Sequence, residues 1–114
     1  MSRNFDLYLD DIITACSRIQ RYTRRLTLAK IKKDDKTLDA VVRNLEVIGE
    51  AVKHVPASFR NQHSHIEWKK IAGLRDILIH EYFGIDVDIV WDVVRNHLPH
   101  LLADIQQIRK APKP

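Results

Sequence analysis

Residues that interrupt or cross-link a chain are scarce in this sequence of 114 residues. It has three glycines, four prolines and a single cysteine. Few glycines and prolines favour long helices, because these residues most often end one. One cysteine cannot form an internal disulfide, so we expect a reducing compartment and interpret Cys16, which falls at helix-core spacing, as a buried thiol.

Long apolar runs are also missing, and so are the common cofactor motifs. No run approaches the ~20 residues that cross a bilayer, and the N-terminal sequence MSRNFDLYLDD is acidic where a secretion signal would be apolar. We therefore expect a cytoplasmic protein without membrane contact. Gly-rich phosphate loops, GxSxG elbows and zinc motifs are absent. Because His63 and His65 lack companions at ligand spacing, we expect neither metal nor cofactor.

The composition is that of one globular domain. Apolar residues make up 45% of the chain and charged residues 30%, and the length suits one core. We expect a single domain over residues 1–110, with a frayed tail at 111–114. The net charge of +4 and the pI near 9.4 permit an anionic partner without requiring one.

Apolar residues recur at helical spacing in four stretches joined by short connections, with one further helical turn possible in the connection 56–65. This pattern predicts an all-α, antiparallel up-and-down bundle of four to five helices. The stretches run from an Asn4 cap to about Leu26, from an Asp34 or Asp35 cap to Pro56, from Ile66 or Trp68 to Phe83, and from an Asp86 cap onward.

Three residues within these stretches carry special expectations. Gly49 costs a helix roughly 1 kcal/mol relative to alanine, which close packing against another helix would explain. Gly84 is suited to a left-handed residue at a helix end. Pro99 should bend the last helix without ending it.

A run of basic residues begins on the polar face of the first predicted helix and continues into the connection that follows it. Between positions 18 and 36 there are eight basic residues against only Asp34 and Asp35. Such a run is usually a solvated face, and the alternative is a surface that contacts phosphates. Its members are Arg18, Arg21, Arg24, Arg25, Lys30, Lys32, Lys33 and Lys36.

The candidate site lies in the third stretch, where four polar residues interrupt an apolar segment. They are Arg75, Asp76, His80 and Tyr82. Asp76 and His80, four apart, would lie about 40° from each other on an ideal helix, so Asp76 could orient the His80 ring. Arg75 and His80 would be about 140° apart. For Arg75 to share a site with His80, the arginine must reach around, the helix must be distorted near Gly73, or two copies of the chain must meet; we favour the last two.

Each polar residue alone would be read as structural, because lone histidines in helices usually are. Four together among apolar neighbours are a reasonable site candidate. Glu50 in the second stretch could add a supporting carboxylate, although a solvated glutamate is the simpler interpretation. Cys16 as a nucleophile is the weaker interpretation, because no histidine is near it in sequence.

The segment RDILIHEY, residues 75–82, resembles the R-x4-H-x-Y signature of HEPN-domain proteins of the HepT type. The resemblance covers nearly the whole chain. It includes LEVIGEA at 45–51, Trp68 before the signature, FGID at 83–86 and Trp91 beyond it.

This resemblance implies a helical bundle that dimerises, so that the arginine and histidine of both subunits line one cleft. It implies a metal-independent ribonuclease toxin with Arg75 and His80 as catalytic residues and Asp76 as a supporting residue. The partner it implies is an MntA-like nucleotidyltransferase antitoxin that transfers AMP from ATP to Tyr82. The expected ligands are therefore RNA and the cognate transferase.

Two other interpretations remain open from the sequence. The chain could be a non-catalytic subunit that pairs with a nucleotidyltransferase and binds nucleotide or RNA without cleaving it. Alternatively, Arg75, Asp76 and His80 could form only a dimer-interface network.

Overall fold

The fold is an all-α bundle to which one very short strand pair is added. A computed structural model describes residues 4–74, 76, 79–80 and 84–111, with 79–80 described by backbone only. The helices are α1 (Asp6–Thr23), α2 (Leu28–Ile31), α3 (Asp35–Lys53), α4 (Ala57–Gln62), α5 (Trp68–Ala72), α6 (Val87–Asp92), a π-helical segment (Val93–His97) and α7 (Leu98–Lys110), and the strands are β1 (Ile79–His80) and β2 (Gly84–Ile85).

The core lies where α1 packs against α3, with α7 also packed against α1 and α5 against α3. The inward faces repeat at the three- and four-residue spacing of a helix, as the apolar stripes predict. The side chains fully removed from solvent include Leu9, Ile12 and Ile19 of α1, Val41, Leu45, Ile48 and Val52 of α3, and Leu98 and Ile105 of the last helical run.

Side-chain caps begin three of the helices. Asp34 accepts from the Thr37 N–H at 3.1 Å and from the Thr37 hydroxyl at 2.7 Å, and Asp86 accepts from the Ile89 N–H at 3.2 Å. Both caps confirm the sequence prediction. Thr27 caps the short α2 in the same way. The predicted Asn4 cap is wrong, since Phe5 occupies the cap position of α1 and contributes no side-chain hydrogen bond.

Helix α1 ends at Thr23 rather than near Leu26, and Arg95 of the π-helical segment closes its end. The Arg95 Nη2 donates to the Thr23 carbonyl at 2.7 Å and to the Leu26 carbonyl at 2.8 Å. The Arg95 guanidinium also lies over the Trp91 ring, 4.3 Å from its centroid. The Thr23 carbonyl also accepts from the Leu26 N–H at 3.0 Å, so Arg95 adds a charged donor at the end of the helix, where the carbonyls carry partial negative charge.

At the opposite end, α7 is joined to the beginning of α1. Arg109 donates to both carboxylate oxygens of Asp10, from Nε at 2.7 Å and from Nη2 at 3.2 Å. Its Nη1 lies 3.5 Å from Asp6. The hydrogen bond to Asp10 raises the pKa of Arg109. Arg95, in the π-helical segment before α7, contacts the end of α1, and Arg109, in the last turn of α7, contacts its beginning. The helical run from Val93 to Lys110 is therefore antiparallel to α1, as predicted.

Pro99 leaves the last helical run continuous but irregular. Proline has no N–H to donate to the carbonyl four residues earlier. The turn before it is π-helical, and the Leu98 N–H bonds to the Val93 carbonyl five residues back. The prediction that the helical run continues past Pro99 is confirmed, with a π turn before the proline.

The third predicted helix is wrong in its second half. Helix α5 ends at Ala72; Leu74 and Asp76 are helical, but Ile79 and His80 pair antiparallel with Ile85 and Gly84. Ile79 and Ile85 are β-branched residues that favour strands. Gly84 has a φ of 76°, so its predicted left-handed conformation is confirmed, although it lies in β2 and not at a helix end.

Gly49 lets α5 approach the backbone of α3, as its position inside a helix suggested. A Cβ at position 49 would lie 3.3 Å from the Ile71 carbonyl oxygen and 3.5 Å from that of Ala72. Helix α3 itself ends at Lys53, three residues before Pro56. The segment that leads into the candidate site is therefore packed directly on α3.

Replacing Arg95 with alanine should lower the free energy of unfolding by about 1–3 kcal/mol, because two carbonyl contacts and the Trp91 contact are lost. Urea denaturation measures this change. Arg43→Ala is the matched control, since its exposed guanidinium makes only a 4.0 Å contact with Glu46 and should change stability by less than about 0.5 kcal/mol. Equal losses in the two variants would contradict a special role for Arg95.

Gly49→Val should also destabilise the fold, by about 1–3 kcal/mol, because its side chain would press on the backbone of α5. Helix propensity alone predicts the opposite sign, since valine is the better helix former. Gly73→Ala is the control, as its Cβ would meet only ordinary contacts at 3.6 and 3.8 Å. A Gly49→Val protein as stable as the wild type in thermal melts would refute the close-approach explanation.

Candidate functional site

The chain enters the candidate site through a well-anchored segment. The buried Trp68 at the beginning of α5 donates from Nε1 to the His63 carbonyl at 3.0 Å. The Gly73 N–H bonds to the Lys69 carbonyl at 3.2 Å and closes α5. Leu74 is buried next to it. Packing therefore fixes the backbone up to the residue before Arg75.

The structure describes only part of the predicted site. Asp76 is helical and exposed, with its N–H 3.0 Å from the Gly73 carbonyl. The backbone of His80 pairs with Gly84 in the strand ladder. Arg75 and Tyr82 lie outside the described residues. Whether Arg75 and His80 share a cleft therefore stays a prediction.

The expectation that Asp76 and His80 share one face of a helix is wrong. A separation of four residues brings side chains together only on a continuous helix, and His80 belongs to a strand. Helix α5 is also interrupted at Gly73, with φ −91° and ψ 10°. A helix distorted near Gly73 is one of the three arrangements that would let Arg75 share a site with His80. Because the helix does not continue to His80, the ideal-helix angle of 140° does not apply to this pair.

A groove of about 420 Å³ borders the site segment at Leu74. Its floor is apolar, and its rim carries charges of both signs, so it shows no clear preference for an anion. Sequence analysis missed this groove because its two sides are distant along the chain. The floor consists of Ile66, Ile71, Leu74, Ile89, Val93, Leu98 and Leu101, and the rim of His65, Glu67, Lys70, Asp92, His97, His100 and Asp104.

Ionic contacts hold several of the rim side chains in place. Asp92 accepts from the Asn96 amide at 2.6 Å and lies 3.3 Å from His97 Nε2. The Asn96 hydrogen bond is the main reason why the pKa of Asp92 is lowered, and His97 adds to it. Glu67 and Lys70 pair at 2.7 Å, which lowers the pKa of Glu67 and raises that of Lys70.

Other side chains considered from the sequence have ordinary roles. Glu50 is exposed and pairs with Lys53 at 3.1 Å, so the simpler interpretation of a solvated glutamate is confirmed. Cys16 is fully buried, and burial raises the pKa of its thiol to about 12. A thiol that stays protonated at neutral pH is a poor nucleophile.

Residues 4–74, 76 and 84–111 hold no group of three His, Cys, Asp or Glu side chains able to share a metal ion. His63 instead packs on Phe59, with ring centroids 4.5 Å apart. In the same range, no helix is both long and apolar enough to span a bilayer.

Comparison with known proteins was informative at the level of sequence. The family model described as "Ribonuclease HepT-like" matches residues 12–108. A Thermococcus cleftensis protein named "Probable ribonuclease HepT" is 41% identical over 110 residues, covering 96% of this chain and 100% of that protein. A Methanocaldococcus jannaschii protein with a provisional RNase name is 46% identical over 103 residues, covering 90% of this chain and 85% of that protein.

A third relative, from Caldanaerobacter subterraneus, also has a provisional RNase name. It is 40% identical over 106 residues, covering 93% of this chain and 95% of that protein. No solved structure matches the chain at a significant level. The matched region spans most of the helical bundle and includes the whole R-x4-H-x-Y segment, and the chain therefore belongs to the HepT-like ribonuclease family.

Proposed function

We propose that this chain is a metal-independent endoribonuclease that acts in the cytoplasm as the toxin of a toxin–antitoxin pair. The observation that carries the proposal is the family match over residues 12–108, which contains Arg75, His80 and Tyr82 in the R-x4-H-x-Y order. Ribonuclease names among relatives that align with 90% or more of this chain support the same activity.

The two proposed catalytic residue types suit RNA cleavage through the substrate's own 2′-hydroxyl. A base removes the 2′-hydroxyl proton as that oxygen attacks the adjacent phosphorus. The bond to the 5′-oxygen then breaks, and that oxygen takes up a proton, which leaves a 2′,3′-cyclic phosphate and a 5′-hydroxyl. Histidine, the residue type at position 80, suits either proton transfer, while Arg75 offers a permanent cation and a fork of donors to the phosphate oxygens.

A homodimer with a composite cleft would supply both proton-transfer groups at once. One histidine cannot be base and acid in the same instant, whereas two copies of His80 can divide these roles. The open apolar groove beside Leu74, close in sequence to Arg75, is compatible with a second chain meeting this region. Asp76, exposed next to Arg75, is proposed to support the arginine rather than to orient His80.

His80→Ala should lower the rate of RNA cleavage by about 10²–10⁴-fold, the range typical of a lost acid–base catalyst. Arg75→Ala should lower it by about 10²–10³-fold, as does the loss of one electrostatic stabiliser. The measurement is cleavage of total cellular RNA in the presence of EDTA, with equal folding of all variants verified by circular dichroism.

Two matched substitutions serve as controls for that assay. Arg43→Ala removes an exposed arginine, and His54→Ala removes a histidine that is stacked on Tyr8; both should retain cleavage. Cleavage that persists in His80→Ala and Arg75→Ala would refute the assignment of the site. An inactive wild type, shown by mass spectrometry to be unmodified at Tyr82, would favour the non-catalytic binding subunit instead.

Tyr82 is the proposed target of an MntA-like nucleotidyltransferase antitoxin. Its phenolic oxygen would attack the α-phosphorus of ATP and release pyrophosphate and the phenolic proton, leaving AMP on the tyrosine. Tyr82 is two positions after His80 in the sequence, so the covalent chain limits the distance between their Cα atoms to about 7 Å. An AMP group there would bring a bulky anion to the cleft and compete with RNA phosphates for Arg75.

Tyr82→Phe should retain most of the cleavage activity yet escape neutralisation, because it keeps the ring and removes the acceptor oxygen. The measurement combines RNA cleavage with the mass of the chain after incubation with the transferase and ATP. Tyr22→Phe is the control and should be neutralised like the wild type. If the transferase silenced Tyr82→Phe without a change in mass, inhibition by binding alone would replace the proposed modification.

A further inference from the structure

The charge of the molecule is concentrated in one short part of the chain. Residues 18–36 carry eight basic and two acidic residues, whereas the remaining chain has eleven basic and thirteen acidic residues. The positive net charge therefore comes entirely from this segment. In the fold it comprises the end of α1, all of α2 and the beginning of α3, and we refer to its eight Lys and Arg residues as the basic end.

All eight residues of the basic end are exposed. Among the residues that the structure describes, only Lys32 of this set forms an ion pair, with Asp88 at 3.1 Å. Asp34 lies within the segment, and hydrogen bonds from Thr37 and the nearby charge of Lys36 lower its pKa. Asp34 and Asp35 offset only two of the eight cations, and mutual repulsion among the remainder opposes folding, so stability alone does not explain the arrangement.

The backbone beneath these charges is held in a defined shape. Helix α2 is only four residues long, yet it is capped by Thr27 and anchored by Ile31, which is fully buried. Arg95 closes the end of α1 through the Thr23 and Leu26 carbonyls. The basic side chains therefore extend from an ordered backbone that runs from the end of α1 through α2 to the beginning of α3, which fixes the spacing of their Cα atoms.

An exposed aromatic ring lies among the cations. The Tyr22 side chain is 36% exposed. Within the described part of the chain, Tyr22 and Leu7 are the only large apolar side chains that are exposed. The Arg21 guanidinium lies 5.4 Å from the centre of the Tyr22 ring. Cations that follow a phosphate backbone, combined with a ring on which a base can stack, are typical of surfaces that bind single-stranded nucleic acid.

The basic end also adjoins the backbone that leads out of the candidate site. Lys32 contacts Asp88 in the first turn of α6, and Asp86 caps that helix. Asp88 lies four positions after Gly84, and Gly84 pairs with His80. The Cα atoms of Gly84 and Asp88 are therefore at most about 14 Å apart, so a strand of RNA at His80 could continue onto the basic end.

We propose that the basic end, together with Tyr22, is a binding surface for single-stranded RNA that lies outside the cleavage site. The identity of the ligand rests on the proposed ribonuclease function. The cations contact phosphates and Tyr22 stacks on a base, so the surface holds the RNA chain on one side of the bond that is cut. An acidic protein is the competing partner for such a surface, but cations alone would suffice for it, and it gives no role to the exposed Tyr22 ring.

The test measures binding of a fluorescently labelled 20-nucleotide single-stranded RNA by anisotropy, over a series of salt concentrations. The proteins carry His80→Ala so that the RNA stays intact. The combined substitution Arg21→Gln, Arg24→Gln and Arg25→Gln should weaken binding at least 10-fold near 0.1 M salt. It should also reduce the slope of log affinity against log salt by roughly 2, since each lost phosphate contact accounts for about 0.7.

Tyr22→Ala separates stacking from charge. It should weaken binding about 5- to 100-fold, the range for one base–aromatic stack, while the salt slope stays unchanged. The control for net charge is Arg43→Gln, Lys53→Gln and Lys110→Gln, three exposed cations outside the basic end, and it should change affinity less than 3-fold. Thermal melts verify that each protein is folded.

Equal weakening by the two triple variants would overturn the proposal, because net charge alone would then explain binding. Unchanged RNA affinity in the basic-end variant would overturn it too, whether or not that variant loses a protein partner. A different outcome would refute the proposed ribonuclease function and leave the RNA-binding surface supported. If a wild-type chain with His80 intact binds RNA in the expected pattern but does not cut it, the surface is supported and the ribonuclease is refuted.

Discussion

The apolar contact between α1 and α3 is the constraint on which the other elements depend. Its two stripes exclude water completely at Ile12, Leu45 and Ile48, and burial of such side chains is the main source of stability in a domain of this size. Helix α7 also packs on α1, and α5 packs on α3 at Gly49. The position of α5, which precedes the signature in the chain, therefore depends on α3.

The sequence was informative at two helix starts whose cause is local. Asp34 and Asp86 cap their helices because a carboxylate three residues before an unpaired N–H is sufficient for that bond. The end of α1 could not be predicted in this way. Arg95, some seventy residues further on, donates to the Thr23 and Leu26 carbonyls. The sequence around position 23 does not indicate that so distant a residue will bind there.

The segment 73–85 shows where periodicity misleads. Its apolar residues fit a helix, and they fit a strand as well, because a short run of Ile and Leu satisfies both patterns. The β-branched Ile79 and Ile85 and the left-handed Gly84 favour the strand pair that is observed. A family signature, by contrast, is read from residue order alone. It therefore supports the family assignment, and the site residues it names stay predictions, even though the geometry first assumed for Asp76 and His80 was wrong.

Separating RNA binding from RNA cleavage would have a kinetic consequence. If the basic end binds RNA as proposed, its contacts with phosphates away from the cut would be equally strong before and during the reaction, so they would lower KM and leave kcat unchanged. Arg75, in its proposed role at the developing phosphorane charge, would act mainly on kcat. Salt would weaken the first kind of contact most, because exposed charges are readily screened. Under these two proposals the basic end would hold varied RNA loosely, while selectivity for the transition state would come from the few residues of the signature.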